Sequence, residues 1–145
     1  MKGRFFACLM FGVGVALTAM IIAQAASSTH DGVYTSTQAQ QGHTLYTVQC
    51  ALCHGPQLQG SGQNPPLAGP AFLHNWTGQT VADLYTQIKM TMPATKPGSL
   101  QPVQVAQVIA YILSVNKYPA GETALPSSPD ALKAIQIDPP AAGGK

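Results

Sequence analysis

The stretch Cys50-Ala51-Leu52-Cys53-His54 constrains this chain more than any other. Two thiols three residues apart lie on one side of a helical turn, with an imidazole next in line. That spacing lets both sulfurs add to the two vinyl groups on one edge of a porphyrin while His54 reaches the iron. C-x-x-C-H is the sequence signature of covalent c-type haem attachment. It occurs once, which predicts one haem c. A thioredoxin-like redox motif needs a βαβ context, and none is visible around it. A structural zinc site needs four ligands. His43 could complete such a set only by bending a predicted helix.

The beginning of the chain carries an export pattern. Lys2 and Arg4 form a positive start, Phe5 to Ile22 is apolar, and Ala23-Gln24-Ala25 is a small-residue cleavage site. Residues 1–25 therefore read as a secretory signal peptide, which predicts a periplasmic protein. The alternative is an uncleaved anchor, since the apolar run is just long enough to span a bilayer. Association with a membrane is expected only in that case. Cys8 lies inside the leader, so Cys50 and Cys53 are the only thiols beyond it. An exported protein would ordinarily pair its thiols; here both are needed for haem.

Charge is scarce, at 8% of 145 residues. Beyond residue 25, Lys89, Lys96, Lys117, Lys133 and Lys145 face Asp31, Asp83, Glu122, Asp130 and Asp138, so that part is formally neutral. Haem propionates would make the holoprotein mildly negative. No basic patch for nucleic acid is present, and strong electrostatic steering of a partner is not expected.

Periodicity predicts three main helices. Thr35 to Gln49 repeats Ala39, Gly42, Leu45 and Tyr46 at spacings of three and four. Thr80, with Asp83 three residues on, makes a capping pattern ahead of Val81, Leu84, Tyr85 and Ile88. That helix must end before Pro93. Gln101-Pro102 opens a third helix striped by Val105, Val108, Ile109, Ile112 and Leu113. Residues 55–79 read as irregular chain rich in Gly, Pro, Gln and Asn. The expected division is a loose arm at 26–34, a domain at 35–117 and a Pro/Ala-rich tail at 118–145, whose short apolar segment Leu132, Ile135 and Ile137 would let it drape over the domain. So small a domain struggles to stabilise itself with side chains alone. A bound haem would supply the apolar centre around which three helices pack.

The sixth iron ligand is expected from Met90 or Met92. Met92 is favoured because it precedes Pro93 and begins a loop able to cross the haem face, whereas Met90 falls within a helix and reads as core filler. His74 is the competing ligand, and His30 and His43 read as solvent-exposed. His/Met ligation raises the reduction potential and leaves no open site for oxygen.

With these residues assembled, the chain resembles the class I cytochrome c family from about Thr35 to Asn116. The resemblance rests on Cys50–His54 followed by Gly55, on Met92-Pro93, and on the closing helix Val108 to Leu113. It implies an all-α cytochrome c fold. It also implies that the first and last helices cross closely, with Gly42, Tyr46 and Tyr111 at the crossing. A proline carbonyl after the haem motif should accept a hydrogen bond from His54 Nδ1. Pro65 or Pro66 matches that position, with Pro66 the candidate site residue. Leu67 to Phe72, Trp76 and the tail from Tyr118 are similar to haem domains and small cytochromes associated with bacterial quinoprotein dehydrogenases. Trp76 would hydrogen-bond a propionate through its indole N–H, or else pack in the core.

The function these features imply is a non-enzymatic periplasmic single-electron carrier, linking a dehydrogenase to the respiratory chain. Its partners would be redox proteins, a quinoprotein dehydrogenase and a terminal oxidase among them. The alternative is a membrane-anchored cytochrome subunit of a dehydrogenase or oxidase complex. A haem sensor or peroxidase would need distal catalytic groups, and Arg4, in the leader, is the chain's only arginine.

Overall fold

The computed structural model describes residues 27–139. The expected signal peptide therefore lies outside the described residues. Helix α1 (Ser36–Gln49) starts where Thr35 accepts from the Gln38 amide, 3.2 Å away. It buries Gln38, Ala39, Gly42 and Tyr46. After a break at Cys50 comes the single turn α2 (Ala51–His54). Helix α4 (Val81–Thr91) carries the full reciprocal cap between Thr80 and Asp83 that its sequence predicts. Helix α5 (Pro102–Val115) opens on Pro102 and buries seven residues, from Val105 to Leu113. It is the central helix of the core.

The crossing of α1 with α5 sets the frame. A Cβ on Gly42 would stand 1.8 Å from the Gln107 carbonyl oxygen and 2.9 Å from Tyr111 Cβ. Only a hydrogen fits there, so the two backbones come into contact. Tyr46 and Tyr111 lie beside this point with ring centroids 5.3 Å apart. Tyr46 is fully buried, which pushes its hydroxyl pKa up to about 12.

Two regions depart from the sequence expectation. Residues 55–79 are not wholly irregular: helix α3 (Pro70–Trp76) starts at Pro70 and buries Phe72. With a single fully buried anchor over seven residues, it leaves no period to read. The arm is not loose; the tail drapes over the domain, with its apolar segment Leu132, Ile135 and Ile137 buried. Strand β1 (Ser27–Ser28) pairs in parallel with strand β2 (Ile135–Gln136), Ser27 opposite Ile135. Helix α6 (Pro129–Leu132) precedes β2 and buries Leu132. Leu125, Ile135 and Ile137 are buried with it.

Polar contacts lock the arm to the tail. Gly121 N–H donates to the Tyr34 carbonyl at 2.7 Å, and Tyr34 hydroxyl donates to the Tyr118 carbonyl at 2.6 Å. The Gln38 amide makes two bonds to the Leu125 backbone, at 2.9 and 2.8 Å, as a second strand would. Thr29, fully buried, accepts from Asp138 N–H at 3.2 Å. His30, expected in solvent, is half-buried against Tyr118 and bonds the Pro139 carbonyl. The tail also pairs with the chain entering α4: Ile137 N–H donates to Gln79, and Gly78 N–H donates back to Ile137. Among the described residues no helix is long and apolar enough to cross a membrane.

Candidate haem site

One cavity of about 580 Å3 opens between α2, α3, α4 and α5. Cys50, Cys53, His54, Pro65, Pro66, Trp76 and Met92 all line it. Leu67, Leu84, Ile88, Val108 and Ile112 supply apolar wall. Its size falls within the range of small-molecule and cofactor sites.

His54 is held from several directions. It is 7% exposed, and its backbone carbonyl accepts from Gly60 N–H at 2.8 Å. Its Nδ1 lies 2.9 Å from the Pro65 carbonyl oxygen. A carbonyl can only accept, so Nδ1 carries the proton and Nε2 keeps its lone pair for a metal. The acceptor is Pro65, which corrects the expectation of Pro66. Pro66 lines the cavity instead. The reason lies in the loop: a Cβ on Gly60 would stand 2.7 Å from both Asn64 O and Pro66 N. The chain is wound tightly there, and the Pro65 carbonyl is the one turned to the ring.

Neighbouring contacts stiffen that loop. Tyr46 hydroxyl donates to the Gly55 carbonyl at 2.6 Å. Asn116, buried at the end of α5, accepts from Gly69 N–H at 3.0 Å. It also donates to the carbonyls of Leu67 and Ile112 at 3.0 and 2.9 Å. A buried amide making three backbone bonds was not legible as a site residue.

Cys50 is half-buried and Cys53 exposed, with no disulfide between them. Burial, and then the neighbouring Cys53, push the Cys50 thiol up to about 11. A free Cys50 thiol therefore stays protonated at neutral pH.

Met92 is the residue that ends α4, its N–H bonding the Ile88 carbonyl at 2.9 Å. It is half-buried and in the cavity wall, and Pro93 behind it is buried. Met90 is 67% exposed and away from the cavity, which corrects its reading as core filler. His74 is exposed on α3 and is not in the wall. His43 is exposed beside Tyr111, at 4.9 Å between rings. Trp76 is half-buried in the wall, 6.4 Å from Phe72.

The residues present fit a haem: a metal-ready imidazole, a thioether, two thiols and an apolar wall share one cavity. The family described as cytochrome c oxidase, cbb3-type, subunit III, matches residues 37–112. The chain belongs to that family. It is a cytochrome c domain, and its cofactor is covalently bound haem c. The cbb3-type cytochrome c oxidase subunit CcoP of Azospirillum brasilense is 34% identical over 92 residues, covering 52% of this chain and 30% of that protein. Cytochrome c-554(547) of Halothiobacillus neapolitanus is 58% identical over 31 residues, 21% of this chain and 34% of that protein. The chain thus spans about a third of the length of these relatives. The sulfane dehydrogenase SoxCD of Paracoccus pantotrophus shares the fold at TM-score 0.50 and 18% identity, over 87% of this chain and 68% of that one. The cytochrome c fold expected from sequence is the fold observed.

Proposed function

We propose that this chain is an exported one-electron carrier whose haem is attached through Cys50 and Cys53 and ligated by His54 and Met92. What supports the reading is that His54 and Met92 line one cavity, with His54 Nε2 left free by the Nδ1 bond to Pro65. Bound haem c supplies a one-electron couple. His54 and Met92 would hold the bound iron from their two sides of the cavity, a ligand pair that would leave little to rearrange on electron transfer and no position for oxygen. The Pro65 carbonyl orients the imidazole and raises its basicity. Trp76 offers its indole N–H to a propionate. Leu84, Ile88 and Ile112 exclude water from the cavity.

The surface around the attachment site supports docking by uncharged contact. Val48 and Leu52 beside the cysteines are 74% and 96% exposed. From Gly32 to Ala82 the chain contains no Asp, Glu, Lys or Arg. Stopped-flow electron transfer with the physiological partner should change less than about twofold as salt is raised to physiological strength. A steep loss of rate would contradict this docking mode.

A second reading, a cytochrome subunit within an oxidoreductase complex, is favoured by the named relatives, of which CcoP is an oxidase subunit. A terminal oxidase is then the partner those names support. A quinoprotein dehydrogenase as donor rests on the sequence resemblance alone. Copurification from native membranes separates a free carrier from a subunit. Mass spectrometry of the mature N-terminus tests export with cleavage; finding Met1 retained would contradict it.

A further inference from the structure

Met92 begins a loop that returns to the core only at Leu100, which is buried. One side chain closes that loop. Lys89, in the last turn of α4, donates from Nζ to the Gly98 carbonyl at 2.8 Å and the Leu100 carbonyl at 2.5 Å. No carboxylate competes for it: the one ion pair among the described residues joins Lys133 to Asp130. The remaining bonds of the loop are short-range backbone turns, from Lys96 to Pro93 and from Ser99 to Lys96. Lys89 is the side chain that ties the far end of the loop back to the helix that presents Met92. Its charge makes both bonds stronger than neutral ones.

We propose that Lys89 is a positioning residue: it clamps the Met92 loop shut and so sets how firmly the thioether stays on the iron. This rests on Met92 being the sixth ligand. A thioether is a weak neutral ligand, and an added ligand binds only when the loop opens. Apparent affinity for that ligand therefore reports the open fraction.

The test uses the oxidised holoprotein and imidazole as the competing ligand. Lys89→Met keeps the length and apolar stem and removes the donors. It should raise imidazole affinity about tenfold and weaken the far-red absorption that a thioether on ferric haem gives. Lys89→Arg retains a cationic donor and should show a smaller rise; it is also the variant to read if Lys89→Met fails to accumulate. Lys96→Met, at an exposed position in the same loop, makes the same charge change and should alter neither signal. Unchanged affinity in Lys89→Met, with the far-red band intact in the unmodified protein, overturns the clamp and leaves Met92 as ligand. An equal rise in Lys96→Met assigns the effect to charge and also overturns it. Absence of the band from the unmodified protein overturns the ligand assignment and the clamp with it.

Discussion

The His54 side and the Met92 side of the cavity are held in different ways. His54 is fixed from within a short stretch of chain. Gly60, Pro65 and the Tyr46 bond to Gly55 are all near it in sequence, and the ring is buried. Met92 sits half-buried at a helix end. Its loop is closed by Lys89, and the start of its helix is held by the tail through Gly78, Gln79 and Ile137. The His54 side thus relies mainly on local geometry, with Asn116 as a distant support of the loop that follows it. The Met92 side, where the thioether is the proposed ligand, depends on distant chain as well, through the tail. Damage to the tail should therefore loosen Met92 before it disturbs His54.

The largest expected effect removes the frame both sides share. Gly42→Ala sets a methyl against the Gln107 carbonyl, which cannot yield without moving α5. It should cost more than about 3 kcal/mol in chemical unfolding of the holoprotein, and both sides should fail together. Ile137→Ala comes next. It empties a fully buried site in the tail and should cost about 3 kcal/mol. Hydrogen exchange should show the Gly78 and Ile137 amides losing protection while Gly60 N–H keeps it. If Gly60 N–H loses protection equally, the two sides are one unit and the contrast falls. Asn116→Leu strikes the loop that follows His54. It leaves the Gly69 amide and Leu67 carbonyl unpartnered and should cost about 2 kcal/mol by urea titration.

The smallest effect is one of pH. The Thr80 hydroxyl, and then the Thr80 backbone N–H, hold the Asp83 carboxyl below its ordinary value. A carboxylate with a depressed folded value contributes stability that is present above its unfolded value, about 3.9. That contribution is lost as pH falls through the folded value. The first turn of α4 should fray below roughly pH 4. Asp83→Asn should remove about 0.5 kcal/mol of the acid dependence, because the group is at the surface.

What could be read from the sequence follows the same divide. The haem motif and three helices were legible because Thr35, the Thr80–Asp83 pair and Gln101-Pro102 are local signals of helix starts. Gly42 and the two tyrosines were placed by resemblance, and the structure brings them together. The tail was legible as chain able to drape over the domain, but not the partners that bury it. Leu125, Leu132, Ile135 and Ile137 are scattered among Pro, Ala and Ser, and each is buried by a surface remote in sequence. Gln38 and Asn116 look like surface amides, yet they act as partners for backbone groups far along the chain. Lys89 reads as a solvated charge until the loop folds back onto it. Which of two adjacent prolines serves His54 depends on the winding at Gly60, which no pattern of residue types records.

Carbon monoxide binding to the reduced holoprotein at neutral pH tests the His54/Met92 centre most directly. With Met92 on the iron, no fast, tight binding phase should appear, and Met92→Ala should create one. Fast, tight binding by the unmodified protein would contradict a six-coordinate carrier.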